Sequence, residues 1–100
     1  MNHPLVISPE ARIEIAEAVG WYESQQPGLG RRFWQMVKER LRAICQHPEL
    51  YPPTGGGKYR KTKVRKFPYL VYYRVKPEGI RALSVFHASQ DPAKLSARLK

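Results

Sequence analysis

The spacing of hydrophobic positions changes character midway along this chain. From Pro9 to about Ser24, apolar residues recur at Ala11, Ile15, Ala18 (or Val19) and Tyr22, which is the period of one face of an α-helix. Ser8-Pro9-Glu10 supplies a start signal. The serine can accept an orphan N–H, proline fits the first helical position, and glutamate complements the positive end of the helix. Gly20 weakens the last turn. The same period returns from Leu29 to Gln46, through Phe33, Val37, Leu41 (or Arg40) and Ile44 with Met36 alongside, and Pro48 ends it. Between them QQPGLG, residues 25–30, is a short connector, so the two helices should form an antiparallel hairpin.

From Tyr59 onward the period is two. Residues 60–66, Tyr69–Val75 and Ile80–His87 read as three strands, with Pro68 and Pro77-Glu78-Gly79 between them, and short connections make them an antiparallel meander. Both faces of the middle strand are apolar or aromatic, which places it centrally. PLVIS, residues 4–8, is a short β-former-rich strand, and the polar tail, 91–100, predicts a turn or short helix. HPELYPPTGGGKY, 47–59, is a loop. Its glycines lack the spacing of a phosphate loop and read as flexibility. The expected fold is α+β, one domain over residues 1–100: a short N-terminal strand, then an antiparallel two-helix hairpin on one face of a small antiparallel β-sheet, the other face open. Trp21 and Trp34 fall at the edges of the helical stripes, as half-buried packing residues at the helix–sheet boundary or, alternatively, as an exposed interface anchor. Glu10, Glu14 and Glu17 fall on a solvated face.

Charge changes this picture. The chain carries 18 Lys and Arg against 8 Asp and Glu, a net charge of +10. Residues 1–50 are neutral, with six charges of each sign, whereas residues 51–100 hold twelve basic and two acidic side chains. The excess starts in KYRKTKVRK, and the asymmetry points to a polyanionic or acidic partner. No membrane-length apolar run and no signal peptide are visible, so the cytoplasm is the expected compartment. The single cysteine, Cys45, allows no internal disulfide and reads as a small core or boundary residue. No cofactor motif and no metal-ligand spacing occur, so neither is expected.

RNA cleavage would need an acid–base group and cations for the developing phosphorane charge. Arg60, Lys61, Lys63, Arg65, Arg74 and Arg81 could supply the cations and His87 the titratable group. Lys61, Lys63 and Arg65 share one side of their strand, with Arg60 at its start. The same six cations form a candidate target-binding set. A structural role at the end of the last strand competes for His87. Tyr72 and Tyr73 could donate protons or stack on bases, or pack in the core. His47 suits a helix C-cap.

Four segments together carry a resemblance: AEAVGWYESQQPGLGRRF (16–33), LRAICQHPELYP (41–52), YRKTKVRKFPYLVYYRV (59–75) and ALSVFHASQDP (82–92). In this order they resemble the RelE/ParE superfamily of type II toxins, most closely its ParE-like, plasmid-stabilisation branch. The tryptophan usual after HxSxDP is Leu95 here. The resemblance implies a helical hairpin on a small sheet and a growth-inhibiting toxin. It also implies a hetero-oligomer with a cognate antitoxin, whose acidic and apolar tail would answer the charge imbalance. RelE-like members cut mRNA on the ribosome without metal, whereas ParE-like members are described as inhibitors of DNA gyrase. The late tyrosine of the RelE-type arrangement has no counterpart after His87, which favours gyrase. A ribosome-dependent nuclease and a non-toxic basic binding module are the alternatives.

Overall fold

The start of the first helix is set by Ser8, whose buried Oγ accepts the Ala11 N–H at 3.1 Å and donates to the Leu83 carbonyl at 3.2 Å. One hydroxyl thereby caps a helix and ties it to a strand 75 residues away. The computed structural model describes residues 3–98. The elements are β1 (Leu5–Ile7), α1 (Pro9–Gln25), α2 (Leu29–Gln46), β2 (Pro53–Thr54), β3 (Tyr59–Lys63), β4 (Tyr69–Lys76), β5 (Gly79–His87) and α3 (Pro92–Arg98). They form a five-stranded sheet of order β1-β5-β4-β3-β2 with the helical hairpin on one face.

The meander β3-β4-β5 is antiparallel, and β4 lies in the middle as its two-sided apolar pattern requires. β1 joins it in parallel, Leu5 beside Ile80 and Ile7 beside Ala82. The whole helical hairpin lies in the connection that makes such a parallel neighbour possible. β2 is an unexpected two-residue edge strand inside the loop. The three glycines that follow it are a defined turn. All are left-handed, at φ 59°, 70° and 84°, and Gly57 N–H bonds the Thr54 carbonyl at 3.0 Å. A Cβ on Gly55 would lie 2.5 Å from the Tyr59 ring, so this turn has no room for a side chain there.

The main core lies between hairpin and sheet. Phe33, fully buried, sits among Tyr22, Phe67 and Tyr69 with ring centroids 5.2, 5.1 and 4.9 Å away. Tyr73, also fully buried, donates from its hydroxyl to the Pro48 carbonyl at 2.6 Å. Burial pushes its phenol from 10.0 up to about 12; Arg60 opposes the shift and Tyr51 adds to it. The folded chain therefore holds this proton more tightly than the unfolded one. The associated stability is complete below pH 10 and is lost as pH rises toward 12, by about 2–3 kcal/mol for this residue. Urea unfolding midpoints measured at stepwise alkaline pH should fall across that window, and Tyr73→Phe should flatten the decline.

The far face of the sheet, expected to be open, is partly covered. Leu95 of α3 is buried in a second cluster with Tyr59, Tyr72, Leu83 and Phe86. The tail looks polar because a helix of seven residues needs only one apolar anchor. Between Tyr72 and Tyr73 the β4–β5 register slips, leaving Leu83 as an extra residue on β5. Its carbonyl accepts from Ser8 and from Arg98 of α3.

Glu14 departs from the solvated role expected of it. β1 protects β5 only as far as Ala82. Beyond that point the Glu14 carboxylate accepts the Ser84 hydroxyl at 2.9 Å and the Val85 N–H at 3.1 Å, and pairs with Arg98 at 3.0 Å. A single side chain of α1 thus covers a bare sheet edge and holds down α3. Glu10 and Glu17 are exposed, as expected. Trp34 is half-buried, but Trp21 is 58% exposed, touching Tyr22 edge-on at 5.0 Å. Cys45 lies at the boundary, its thiol pushed up by burial. Among the described residues no helix is long and apolar enough to cross a membrane. Residues 99 and 100 of the expected tail lie outside the described residues.

Candidate target-binding surface

Strand alternation sorts the basic residues between the two faces of the sheet. On β3, Tyr59 is buried in the second cluster, so Lys61 and Lys63 share its side, away from the hairpin, and both are exposed. On β4, Leu70 and Tyr72 belong to that side, and Arg74 and Lys76 follow in phase. Arg81 lies directly opposite Arg74 on β5. Lys61, Lys63, Arg74, Lys76 and Arg81 thus flank the apolar patch under α3. Like charges facing each other across a strand pair repel. Among the described residues, the ion pairs are Arg65–Glu39 and Arg98–Glu14, so none of these five cations has an acidic partner. Arg74 is oriented by a bond from Nε to the Lys58 carbonyl, 3.0 Å. Lys76 escaped the sequence reading, although it continues the alternation from Arg74.

Arg60 and Arg65 do not join this surface. Arg60 lies opposite Tyr73 on the hairpin side, and its guanidinium donates to the carbonyls of Tyr51 and Glu49. β3 ends at Lys63, before the strand end expected at residue 66. The chain then turns, with Val64 N–H bonding the Tyr69 carbonyl at 2.9 Å. Arg65 falls in this turn and pairs with Glu39 of α2 at 3.0 Å.

His87 is also separated from the lysines. It ends β5 one residue past Phe86, so it faces the hairpin side, its ring 5.0 Å from that of Tyr69. Its Nδ1 accepts the Ser89 N–H at 3.0 Å and lies 2.7 Å from Ser89 Oγ. Its own N–H donates to Gln90 Oε1 at 3.2 Å, and Asp91 Oδ1 accepts the Ala93 N–H at 3.0 Å as α3 begins. The polar residues of HASQDP therefore build the turn from β5 into α3. Tyr72 and Tyr73 are buried, with both phenols pushed up by that burial. Of the other histidines, His47 caps α2 through its N–H to the Ala43 carbonyl, 3.0 Å, and the His3 N–H bonds the Cys45 carbonyl at 3.2 Å.

An N-terminal strand followed by a helical hairpin on one face of a small sheet is the architecture of a RelE/ParE-superfamily toxin. The family model described as ParE toxin of type II toxin-antitoxin system, parDE, matches residues 5–92. The chain belongs to that family, as the toxin component of a ParDE-like system. Among solved structures, one described as the chromosomal ParDE TA system from P. aeruginosa superposes with a TM-score of 0.78. It is 17% identical and covers 87% of this chain and 97% of that one. None of the curated proteins matches.

Proposed function

We propose that this toxin arrests growth by protein–protein contact with DNA gyrase, through the basic face of Lys61, Lys63, Arg74, Lys76 and Arg81. In the resting cell it is held in the cytoplasm in a hetero-oligomer with a cognate antitoxin of acidic and apolar tail. Membership of the ParE family supports the toxin role. The observation that carries the choice of mechanism is the split between the two faces. His87 lies on the hairpin side and is engaged with Ser89, while Lys61 and Lys63 lie on the opposite face. A general acid or base must lie within hydrogen-bond reach of the proton it transfers, alongside the cations that stabilise the same transition state. These residues do not converge in that way. A contact surface needs only charge complementarity and area.

The test induces the chain alone in bacteria and maps RNA 5′ ends within minutes, beside viable counts and a supercoiling assay with purified gyrase. The expected result is growth arrest without new ends inside codons, inhibited supercoiling, and His87→Ala as active as the parent. Lys61→Glu combined with Arg74→Glu should weaken gyrase inhibition about tenfold or more. New ends within translated codons, abolished by His87→Ala in a folded chain, would replace this reading with ribosome-dependent cleavage. No arrest from a folded, soluble chain would leave a non-toxic binding module.

A further inference from the structure

The β3–β4 register sets the cations of the far face along one diagonal track. Lys63 lies opposite Leu70 and Lys61 opposite Tyr72, so Arg74 is diagonal to Lys61 and Lys76 follows one alternation step beyond. Alternate residues on a strand are about 6.8 Å apart, so the track from Lys63 to Lys76 is roughly 20 Å long. Arg81 stands directly opposite Arg74 on β5. Lys61, Lys63 and Lys76 are exposed, and Arg74 and Arg81 are half-buried. The Arg74–Arg81 pair is the part of the track that needs a ligand. Like charges opposite each other across two strands destabilise a sheet. Glu78, in the β4–β5 turn, lines the same shallow cleft as Lys76 and Arg81, but among the described residues it pairs with neither.

An anion between the two guanidiniums relieves that repulsion, and the planar fork of arginine matches phosphate oxygens in particular. Successive phosphates of one DNA strand rise by about 3.4 Å, so the step of about 6.8 Å from Lys63 to Lys61, or from Arg74 to Lys76, matches alternate phosphates. The face presents charge without a stacking platform. Its rings, Tyr59, Tyr72 and Phe86, are buried in the cluster that Leu95 closes. Single-stranded nucleic acid is held by exposed rings as well as by charge, whereas a duplex backbone needs charge alone. We infer that this track binds the phosphate backbone of duplex DNA without regard to sequence. Arg74 and Arg81 clamp one phosphate, and Lys61, Lys63 and Lys76 each meet another. The bond from Arg74 Nε to the Lys58 carbonyl, 3.0 Å, already orients one side of the clamp. The inference rests on the gyrase reading for the source of the duplex: beside its protein contact, the basic face grips the DNA that the enzyme holds. The binding itself needs no gyrase.

The test titrates the full chain, without gyrase, against a fluorescein-labelled duplex of mixed sequence, followed by anisotropy at stepwise salt. Four phosphate contacts give a slope of log affinity against log salt near −3.6, a loss of about 150-fold from about 50 to 200 mM. Lys61→Gln should reduce that slope by about 1, and Arg81→Gln should weaken binding about fivefold. Arg31→Gln, on the exposed side of α2, makes the same change in net charge and should do neither. Arg81→Gln also removes the like charge facing Arg74. Its unfolding midpoint should therefore hold or rise while affinity falls, which separates a lost contact from a lost fold. A duplex of unrelated sequence should bind equally, and the single strand more weakly. Duplex binding by a chain that fails to inhibit supercoiling would sustain the track and remove the gyrase reading. Inhibited supercoiling by a folded chain that binds no duplex would overturn the track and leave a purely protein contact. Tighter binding to the single strand, or an equal loss with Arg31→Gln, would overturn it as well.

Discussion

Glu14→Ala should lower the unfolding free energy by about 3 kcal/mol. The carboxylate accepts from the Ser84 hydroxyl and the Val85 N–H and pairs with Arg98, while its side chain is only 19% exposed. Its removal leaves two donors at an uncovered strand edge and a guanidinium without its counter-charge. It also loosens the C-terminal helix, leaving it held by Leu95 in the second cluster and by the Arg98 bond to the Leu83 carbonyl. Glu14→Gln keeps one acceptor oxygen and should recover about half of the loss. Urea unfolding followed by circular dichroism measures both, with Glu10→Ala as the exposed control. If Glu14→Ala lies within about 0.5 kcal/mol of that control, the carboxylate is not the pin described here.

Phe33→Ala should cost about 4 kcal/mol. The ring is fully buried and touches three other aromatic rings, two of them from the segment that closes the β3–β4 turn. Its loss empties the point where α1, α2 and the sheet meet. A small domain has roughly 5–15 kcal/mol in total, so this variant would be partly unfolded near body temperature. Phe33→Leu, which retains most of the volume, should cost about 1–2 kcal/mol. Calorimetric or urea unfolding distinguishes the two. Growth arrest should weaken in Phe33→Ala in proportion to the unfolded fraction, without implying that Phe33 touches the target.

Much of the fold was legible because periodicity and caps agree. Ser8-Pro9 starts α1 where expected, α2 runs over Leu29–Gln46 as its apolar spacing predicts, and the two-sided apolar pattern of β4 marks the sheet's centre. The unread parts depend on pairing. Alternation shows that Lys61 and Lys63 share a side, but continuing it to Arg65 overran a strand that stops at Lys63. Which side of β4 meets the helices was undecidable from a strand apolar on both, and hence so was the side on which His87 would fall. Glu14 reads as a surface residue because its partners are 70 and 84 positions away. Leu95 is a lone apolar residue in a polar tail, with no periodicity to mark it as a plug.

The parallel pairing of β1 with β5, together with the Glu14–Arg98 link, has a bearing on when this protein becomes dangerous. β1 cannot pair until β5 has been made, and Glu14 of α1 gains its ion pair only with α3. Until β5 has emerged from the ribosome, the sheet lacks its second strand. Contacts of such sequence separation are also slow to form once the chain is free. Synthesis therefore yields an incomplete molecule whose basic and apolar surfaces are exposed before the finished fold exists. During that interval the toxin has neither its closed core nor the finished basic face.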